Sequence, residues 1–263
     1  MVGLKFLWEL FTVRIVEQNL KNLDLVRFSG LKSAVLSSGG KDSLYALWIS
    51  SNQGFEISCL ITLIPESFES WIFHYPAVEL TRLQAEAMGK PLLLRRTGDS
   101  VHSSLKALSY VLREAIEDFH ICSVISGVSA SYYQKSIIDS VCEELGLKSF
   151  TPLWSKTAEL ILREILELGF RAIIVGVAAE GLTMEWLGKI LDADSLMDFI
   201  RLAYKHRFSL LGEGGEYETL VLDAPFFRKR LHIRKAEPIW LGDSGYLRID
   251  EACLEDKSVY CEL

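Results

Sequence analysis

Ser33-Ala34-Val35-Leu36-Ser37-Ser38-Gly39-Gly40-Lys41-Asp42-Ser43-Leu44-Tyr45-Ala46-Leu47 is the stretch that decides the fold. Ser33–Ser37 reads as a short β run, a glycine pair follows, and a helical pattern runs from Asp42 to Ser51. A strand that passes into a helix through paired glycines suits an anion. Glycine takes positive φ and lets a ligand approach the backbone. The helix offers free N–H groups and the positive end of its dipole. Ser38 and Ser43 add hydroxyl donors, and Lys41 adds a charge. Asp42 is the odd member of an anion site; it makes sense if it holds Mg2+ against phosphates, or if it caps the helix. Neither Gly-x-x-x-x-Gly-Lys-Ser/Thr nor Gly-x-Gly-x-x-Gly can be fitted here.

Outward from this loop, strand and helix patterns alternate. Ile57–Ile64 and Pro91–Leu94 read as strands around a helix at Ala77–Gly89. Ser104–Phe119 is a helix with Leu105, Leu108, Leu112 and Ile116 on one stripe. Ile121–Ser126 (strand), Tyr133–Gly146 (helix) and Ser149–Leu153 (strand) follow. Thr157–Gly169 (helix), Ala172–Ala178 (strand) and Ser195–His206 (helix) continue the series. The expected fold is therefore α/β, a parallel sheet with helices on both faces. After His206 the character changes to glycines and β runs at Glu218–Leu222, Leu231–Ile233 and Tyr246–Ile249. Three parts are expected: an N-terminal extension (1–30), a domain built around the glycine loop (31–154) and a smaller C-terminal α+β module (155–263).

Composition narrows the function. Of 263 residues, 49% are hydrophobic and 24% charged, which excludes a disordered chain. With 28 basic and 35 acidic residues the net charge is −7, which disfavours broad nucleic-acid binding. The five cysteines, Cys59, Cys122, Cys142, Cys253 and Cys261, form no Cys-x-x-Cys pair and read as buried, reduced thiols in the cytoplasm. Leu4–Val16 is apolar but broken by Lys5, Glu9 and Arg14, so neither a membrane span nor a signal peptide is expected. Arg228-Lys229-Arg230 reads as a solvated strand edge, and Asp192, Asp194 and Asp198 as a helix N-terminal cluster.

A second glycine-rich stretch stands apart: Gly212-Glu213-Gly214-Gly215-Glu216-Tyr217-Glu218-Thr219, running into a strand. Period-two alternation puts Glu216 and Glu218 on one face, Tyr217 and Thr219 on the other. A solvated loop does not need so many glycines, so these carboxylates are candidate functional groups.

Ser-Gly-Gly-x-Asp-Ser resembles the signature of the PP-loop ATP pyrophosphatases, which cut ATP between the α- and β-phosphates. Four segments together resemble the diphthine–ammonia ligase family: the glycine loop; Phe73-His74-Tyr75-Pro76; Gly181-Leu182 with Trp186-Leu187-Gly188; and the Gly212–Thr219 stretch. The likeness runs from about Ser33 to the C-terminus. Two segments depart from the family pattern, His74-Tyr75-Pro76-Ala77 and Ser131-Tyr132-Tyr133-Gln134-Lys135.

The resemblance implies ATP-dependent amidation of diphthine on elongation factor 2 by ammonia, through an acyl-adenylate, with AMP and pyrophosphate released. It implies that Ser38, Gly39, Gly40, Lys41, Asp42 and Ser43 bind ATP, with His74 and Gly127 nearby, and that Asp42 is the candidate Mg2+ ligand. Glu213, Gly214, Gly215, Glu216, Tyr217, Glu218 and Thr219 would meet the acceptor. Asp42, Lys41, Glu216 and Glu218 are the expected catalytic groups. Diphthine carries a quaternary ammonium, and such cations favour aromatic faces and carboxylates; Tyr217 is the candidate aromatic, while Trp186 suits either this role or core packing. No glutaminase domain is evident, so ammonium or a partner supplies the nitrogen. The competing readings are a PP-loop tRNA-modifying enzyme, a small-molecule amide ligase and a nucleotide-binding module without chemistry. Neither stable nucleic acid nor membrane is expected as a partner.

Overall fold

The computed structural model describes residues 30–65, 80–98 and 100–257. His74 with its neighbours, the start of the Ala77–Gly89 helix, the N-terminal extension apart from Gly30, and Cys261 lie outside the described residues.

The first sheet contains β1 (Lys32–Leu36), β2 (Glu56–Pro65), β3 (Leu92–Thr97), β4 (Ser123–Ile125) and β5 (Lys148–Phe150), in the order β3-β2-β1-β4-β5. All four pairings are parallel. Helices α1 (Lys41–Asn52), α2 (80–88), α3 (Val101–Phe119) and α4 (Tyr132–Glu144) make the crossovers. Alternation along β1 explains the two faces. Val35 joins a core with Leu44, Leu47 and Leu80 of α1 and α2. Ala34, one residue earlier, joins a core with Leu108, Val111 and Ile138 of α3 and α4. Both residues are fully buried, as strands covered on both sides must be.

The second sheet is antiparallel and is built on β6 (Arg171–Val177). Strands β7 (Ile190–Leu191), β8 (Tyr217–Asp223) and β10 (Gly245–Asp256) all pair with it, and β9 (Lys229–Trp240) pairs with β10. Helix α5 (Ala158–Glu167) packs its Ile161, Leu162 and Ile165 into the core shared with the first sheet. Helix α6 (Ala193–His206) covers the other face of β6, where Phe199 meets Trp186 and Tyr217 edge-on at 5.2 and 4.8 Å between ring centroids. The alternation expected beyond Ser155 is thus real as element order, yet β6 starts a new antiparallel sheet.

Two expectations change. The β9–β10 hairpin is much longer than Leu231–Ile233 and Tyr246–Ile249: Leu231, Ile233, Leu247 and Ile249 pack on the core, but residues 234–237 and 250–251 beyond them are exposed, mostly charged and carry no apolar alternation. Cross-strand ion pairs hold it instead: Arg234–Glu251 at 3.3 Å, Lys235–Asp250 at 3.4 Å and Arg248–Glu237 at 2.6 Å. Cys122 is exposed and Cys253 half-buried rather than buried, while Cys59 and Cys142 are buried as expected. Asp192 caps α6 through a reciprocal box with Ser195, in line with the reading of that acidic cluster. Among the described residues no helix is long and apolar enough to cross a membrane.

Candidate active site

Strand order reverses between β1 and β4, and in open parallel sheets ligands bind at such a switch point, beyond the C-terminal strand ends. The loop after β1 and the loop after β4 meet there, and the acidic turn before β8 closes a cavity of about 590 Å³. One side is polar, with Ser38, Asp42, Ser43 and Glu218; the other is apolar, with Leu36, Ile61, Leu108 and Ile138.

The glycine loop is shaped by close approach. Gly39 sits at φ +82, and a Cβ there would stand 2.8 Å from Gln84 Oε1. At Gly127 a Cβ would meet Ser43 N at 2.6 Å and the Asp42 carbonyl carbon at 2.7 Å, so only glycine lets the β4 loop pass against the start of α1. Ser38 Oγ accepts from Gly40 N at 3.3 Å, and Ser43 Oγ donates to the Gly40 carbonyl at 3.1 Å. Helices α3, α4 and α6 are capped by Ser100, Ser131 and Asp192. Helix α1 has Gly40 at its N-cap and, like α5, no side-chain cap. The Gly39, Asp42 and Ser43 amides therefore have no partner among the described residues. Four orphan N–H groups open each helix; here three loop amides are left for a ligand.

The second sheet braces this loop. Lys41 N donates to Thr219 Oγ1 at 3.1 Å, and Val221 N donates to the Gly39 carbonyl at 3.0 Å. Gln84 Nε2 ties Gly39 and Val221 together, donating to their carbonyls at 2.9 and 2.7 Å. Thr219 thus acts on the loop backbone.

Lys41 is turned inward. Its side chain is 2% exposed, and Nζ donates to Asp42 Oδ2 at 2.9 Å and to the Leu211 carbonyl at 3.0 Å, lying 4.7 Å from the Tyr217 ring centroid. Burial pulls its pKa down, but Asp42 and then Tyr217 more than offset this and hold it above the ordinary lysine value. Burial pushes the Asp42 carboxyl above the usual range against the pull of Lys41, with Glu213 adding to the rise. Asp42 Oδ1 is buried and has no partner.

The three glutamates of the turn differ. Glu213 Oε1 accepts from Ser129 N (2.7 Å), Ser129 Oγ (2.5 Å) and Ala130 N (2.8 Å), clamping the β4 loop to the turn. Glu216 precedes β8 and folds back on its own turn, accepting from Ser209 N at 3.1 Å and Gly214 N at 2.8 Å. Glu218 lines the cavity, and its carboxylate has no hydrogen bond among the described residues. Burial, eased by Lys41 and worsened by Asp42, raises its pKa to about 7.

Of the residues singled out from sequence, Ser38, Gly40, Lys41, Asp42, Ser43, Gly127, Glu213, Gly215, Tyr217, Glu218 and Thr219 line one cavity. Gly39 shapes it from behind, and Gly214 receives Glu216. Trp186 is 9% exposed in the α6 core, away from the cavity. Tyr217 is 2% exposed; its hydroxyl donates to the Leu210 carbonyl at 2.6 Å, and burial raises its pKa to about 12. Sequence reasoning missed Gln84, Ser126, Ser129 and the apolar wall. Ser126 and Ser129 flank Gly127, so the strand–glycine pattern at 121–129 was the available signal; Gln84 carried none.

A parallel sheet whose switch point carries Ser-Gly-Gly-Lys-Asp-Ser and open amides defines a nucleotide-binding protein of the PP-loop class. Residues 31–149 match the model of the diphthamide synthase N-terminal domain, and residues 157–254 that of its C-terminal domain. The diphthine–ammonia ligase of Schizosaccharomyces pombe is 34% identical over 86% of this chain, which spans 40% of that protein's length. Those of Danio rerio and Homo sapiens are 33% and 32% identical, over 85% and 86% of this chain and 96% and 94% of theirs. Among solved structures, a 4-thiouridine synthetase–RNA complex with bound ATP matches with a TM-score of 0.39 and 21% identity, covering 52% of this chain and 40% of that one. The chain belongs to the diphthine–ammonia ligase family and is an ATP-dependent ligase.

Proposed function

We propose that this protein amidates the carboxylate of diphthine on elongation factor 2, using ATP and ammonium, through an acyl-adenylate. The observation that carries the reading is that the open amide cradle and the acidic turn line one cavity and are hydrogen-bonded to each other. Nucleotide and acceptor chemistry can then meet without transfer between sites.

The β- and γ-phosphates of ATP sit on the Asp42 and Ser43 amides at the positive end of α1. The diphthine carboxylate attacks the α-phosphorus, and pyrophosphate leaves into a cradle already oriented for its charge. Ammonia then displaces AMP. Lys41 does not reach into the cradle. It positions the acidic turn through Leu211, and Glu213 holds the β4 loop against that turn. Mg2+ on phosphates keeps most of its waters and takes one or two carboxylates. The unpartnered, buried Asp42 Oδ1 fits that demand, and no group of three or more ligating side chains is present among the described residues. Asp42 is thus the residue that would hold the ion, which would neutralise phosphate charge when bound.

We assign nucleotide binding to 31–154 and acceptor binding to 155–263. Tyr217 and Trp186 are too enclosed to receive the quaternary ammonium directly and act in packing. The free cysteines, among them exposed Cys122, suit a reducing cytoplasm.

The test is product analysis with ATP, ammonium and diphthine-bearing elongation factor 2. AMP and pyrophosphate formed only with the factor are expected. ADP with orthophosphate, or AMP formed with tRNA instead, refutes the reading.

A further inference from the structure

Amidation needs ammonia, whereas the nitrogen available near neutral pH is overwhelmingly ammonium, a cation with four N–H donors and no lone pair. Some group must recognise that cation and take a proton from it. Such a group has to be an acceptor, open to the cavity and not already spent on the fold.

Glu218 meets these demands and the other turn carboxylates do not. Glu213 and Glu216 are committed to backbone amides of Ser129, Ala130, Ser209 and Gly214. Glu218 lines the cavity with no hydrogen bond to its carboxylate among the described residues. A second observation also asks for a polar ligand there. Ser126, 2% exposed on the same cavity wall, has an Oγ with no partner. The groups around Glu218 are Lys41 and Asp42 of α1, with Glu213 and Tyr217 of the turn; its partner on β6 is Gly176. Lys41 donates to Asp42 and to the Leu211 carbonyl rather than to Glu218, so its charge favours the Glu218 carboxylate without taking up its oxygens.

The diphthine quaternary ammonium is a poorer fit for Glu218. It has no N–H to donate, and the neighbouring Tyr217 ring is already covered by Lys41 and Phe199.

We infer that Glu218 is the ammonium-binding residue and takes its proton to release ammonia beside the acyl-adenylate. The carboxylate takes one proton from the ammonium ion. The nitrogen lone pair attacks the acyl carbon and the C–N bond forms. The C–O bond to phosphate breaks, with its electron pair leaving on AMP. The remaining extra proton on nitrogen passes to solvent.

This inference rests on the amidation reading above, and its test separates the two. Hydroxylamine is largely unprotonated at neutral pH and needs no base to become a nucleophile. Wild type and Glu218→Gln are compared in factor-dependent ATP–pyrophosphate exchange, then with ammonium, then with hydroxylamine. Loss of a proton-accepting group typically costs 10²–10⁴-fold. The variant should keep its exchange activity, lose at least ~100-fold in kcat/KM for ammonium, and change by less than ~3-fold with hydroxylamine. Glu218→Asp, which keeps a carboxylate, should recover part of the ammonium activity. Equal losses with both nucleophiles, a raised KM for the factor with both, or lost exchange would each overturn the assignment. Absence of factor-dependent exchange in wild type would refute the amidation reading itself, and this inference with it.

Discussion

The two glycine-rich stretches look alike in sequence and do opposite work. Around Gly39 and Gly40 the glycines remove side chains so that backbone donors stay open: α1 has no side-chain cap, and three loop amides are unmet. Around Gly212–Gly215 the glycines make room for side chains to fold back onto backbone, so Glu213 and Glu216 become struts. The first stretch is a cradle; the second is a scaffold that leaves one carboxylate, Glu218, open. Glycine density alone therefore does not mark a phosphate site. What marks it is whether the donors it exposes are already taken.

The contrast can be broken most severely at Gly127. Its Cβ would stand 2.6 Å from Ser43 N, against backbone that cannot yield cheaply. Overpacking of this kind costs about 1–3 kcal/mol, and here it falls on the donors of the cradle. Gly127→Ala should weaken ATP binding by at least ~10-fold, read by calorimetry. Wild-type affinity would show that the amides are not the phosphate site.

Strut and open carboxylate should respond with opposite signs. Glu213→Ala strands the Ser129 and Ala130 donors and should cost about 2 kcal/mol in denaturant unfolding. Glu218 behaves otherwise, because burial pushes its folded-state pKa up to about 7, above the ordinary glutamate value of 4.5. Its ionisation therefore opposes folding: the stability present below the unfolded pKa is lost as pH rises through the folded one. Glu218→Gln should be more stable than wild type by about 3 kcal/mol at pH 8, with the difference vanishing below pH 4.5. A destabilised Glu218→Gln at pH 8 would mean that Glu218 is a strut as well.

The smallest effect is expected at the brace. Thr219→Val keeps the shape but removes the acceptor for Lys41 N, at about 1 kcal/mol. ATP affinity should fall about fivefold, and unchanged affinity would show that Gln84 and Val221 suffice to hold the loop.

Much of the first sheet was legible because its strands and helices each carry their own period. The apolar stripe of Ser104–Phe119 and the alternation through Ala34 and Val35 are local properties of the chain. The hairpin was read too short because its outer part, residues 234–237 with 250–251, is held by ion pairs across 11 to 17 residues and lacks the apolar alternation of Leu231, Ile233, Leu247 and Ile249. The placement of Ser38, Asp42 and Ser43 on the cavity wall was legible, since a glycine pair between strand and helix marks a switch-point loop in a few residues. Gln84 was not, because nothing near it in sequence shows that it will lie beside Gly39 and Val221.

The sequence by itself determined the strand–glycine–helix loop and singled out the acidic turn as a candidate, because propensity, period and backbone freedom act over a few residues. Only the tertiary structure decided that Lys41 would face inward, that Trp186 and Tyr217 would pack, and that Glu218 rather than Glu216 would stay open. Those outcomes depend on which donors and apolar surfaces from distant segments reach a side chain first, and that competition is settled only when the two sheets close on each other.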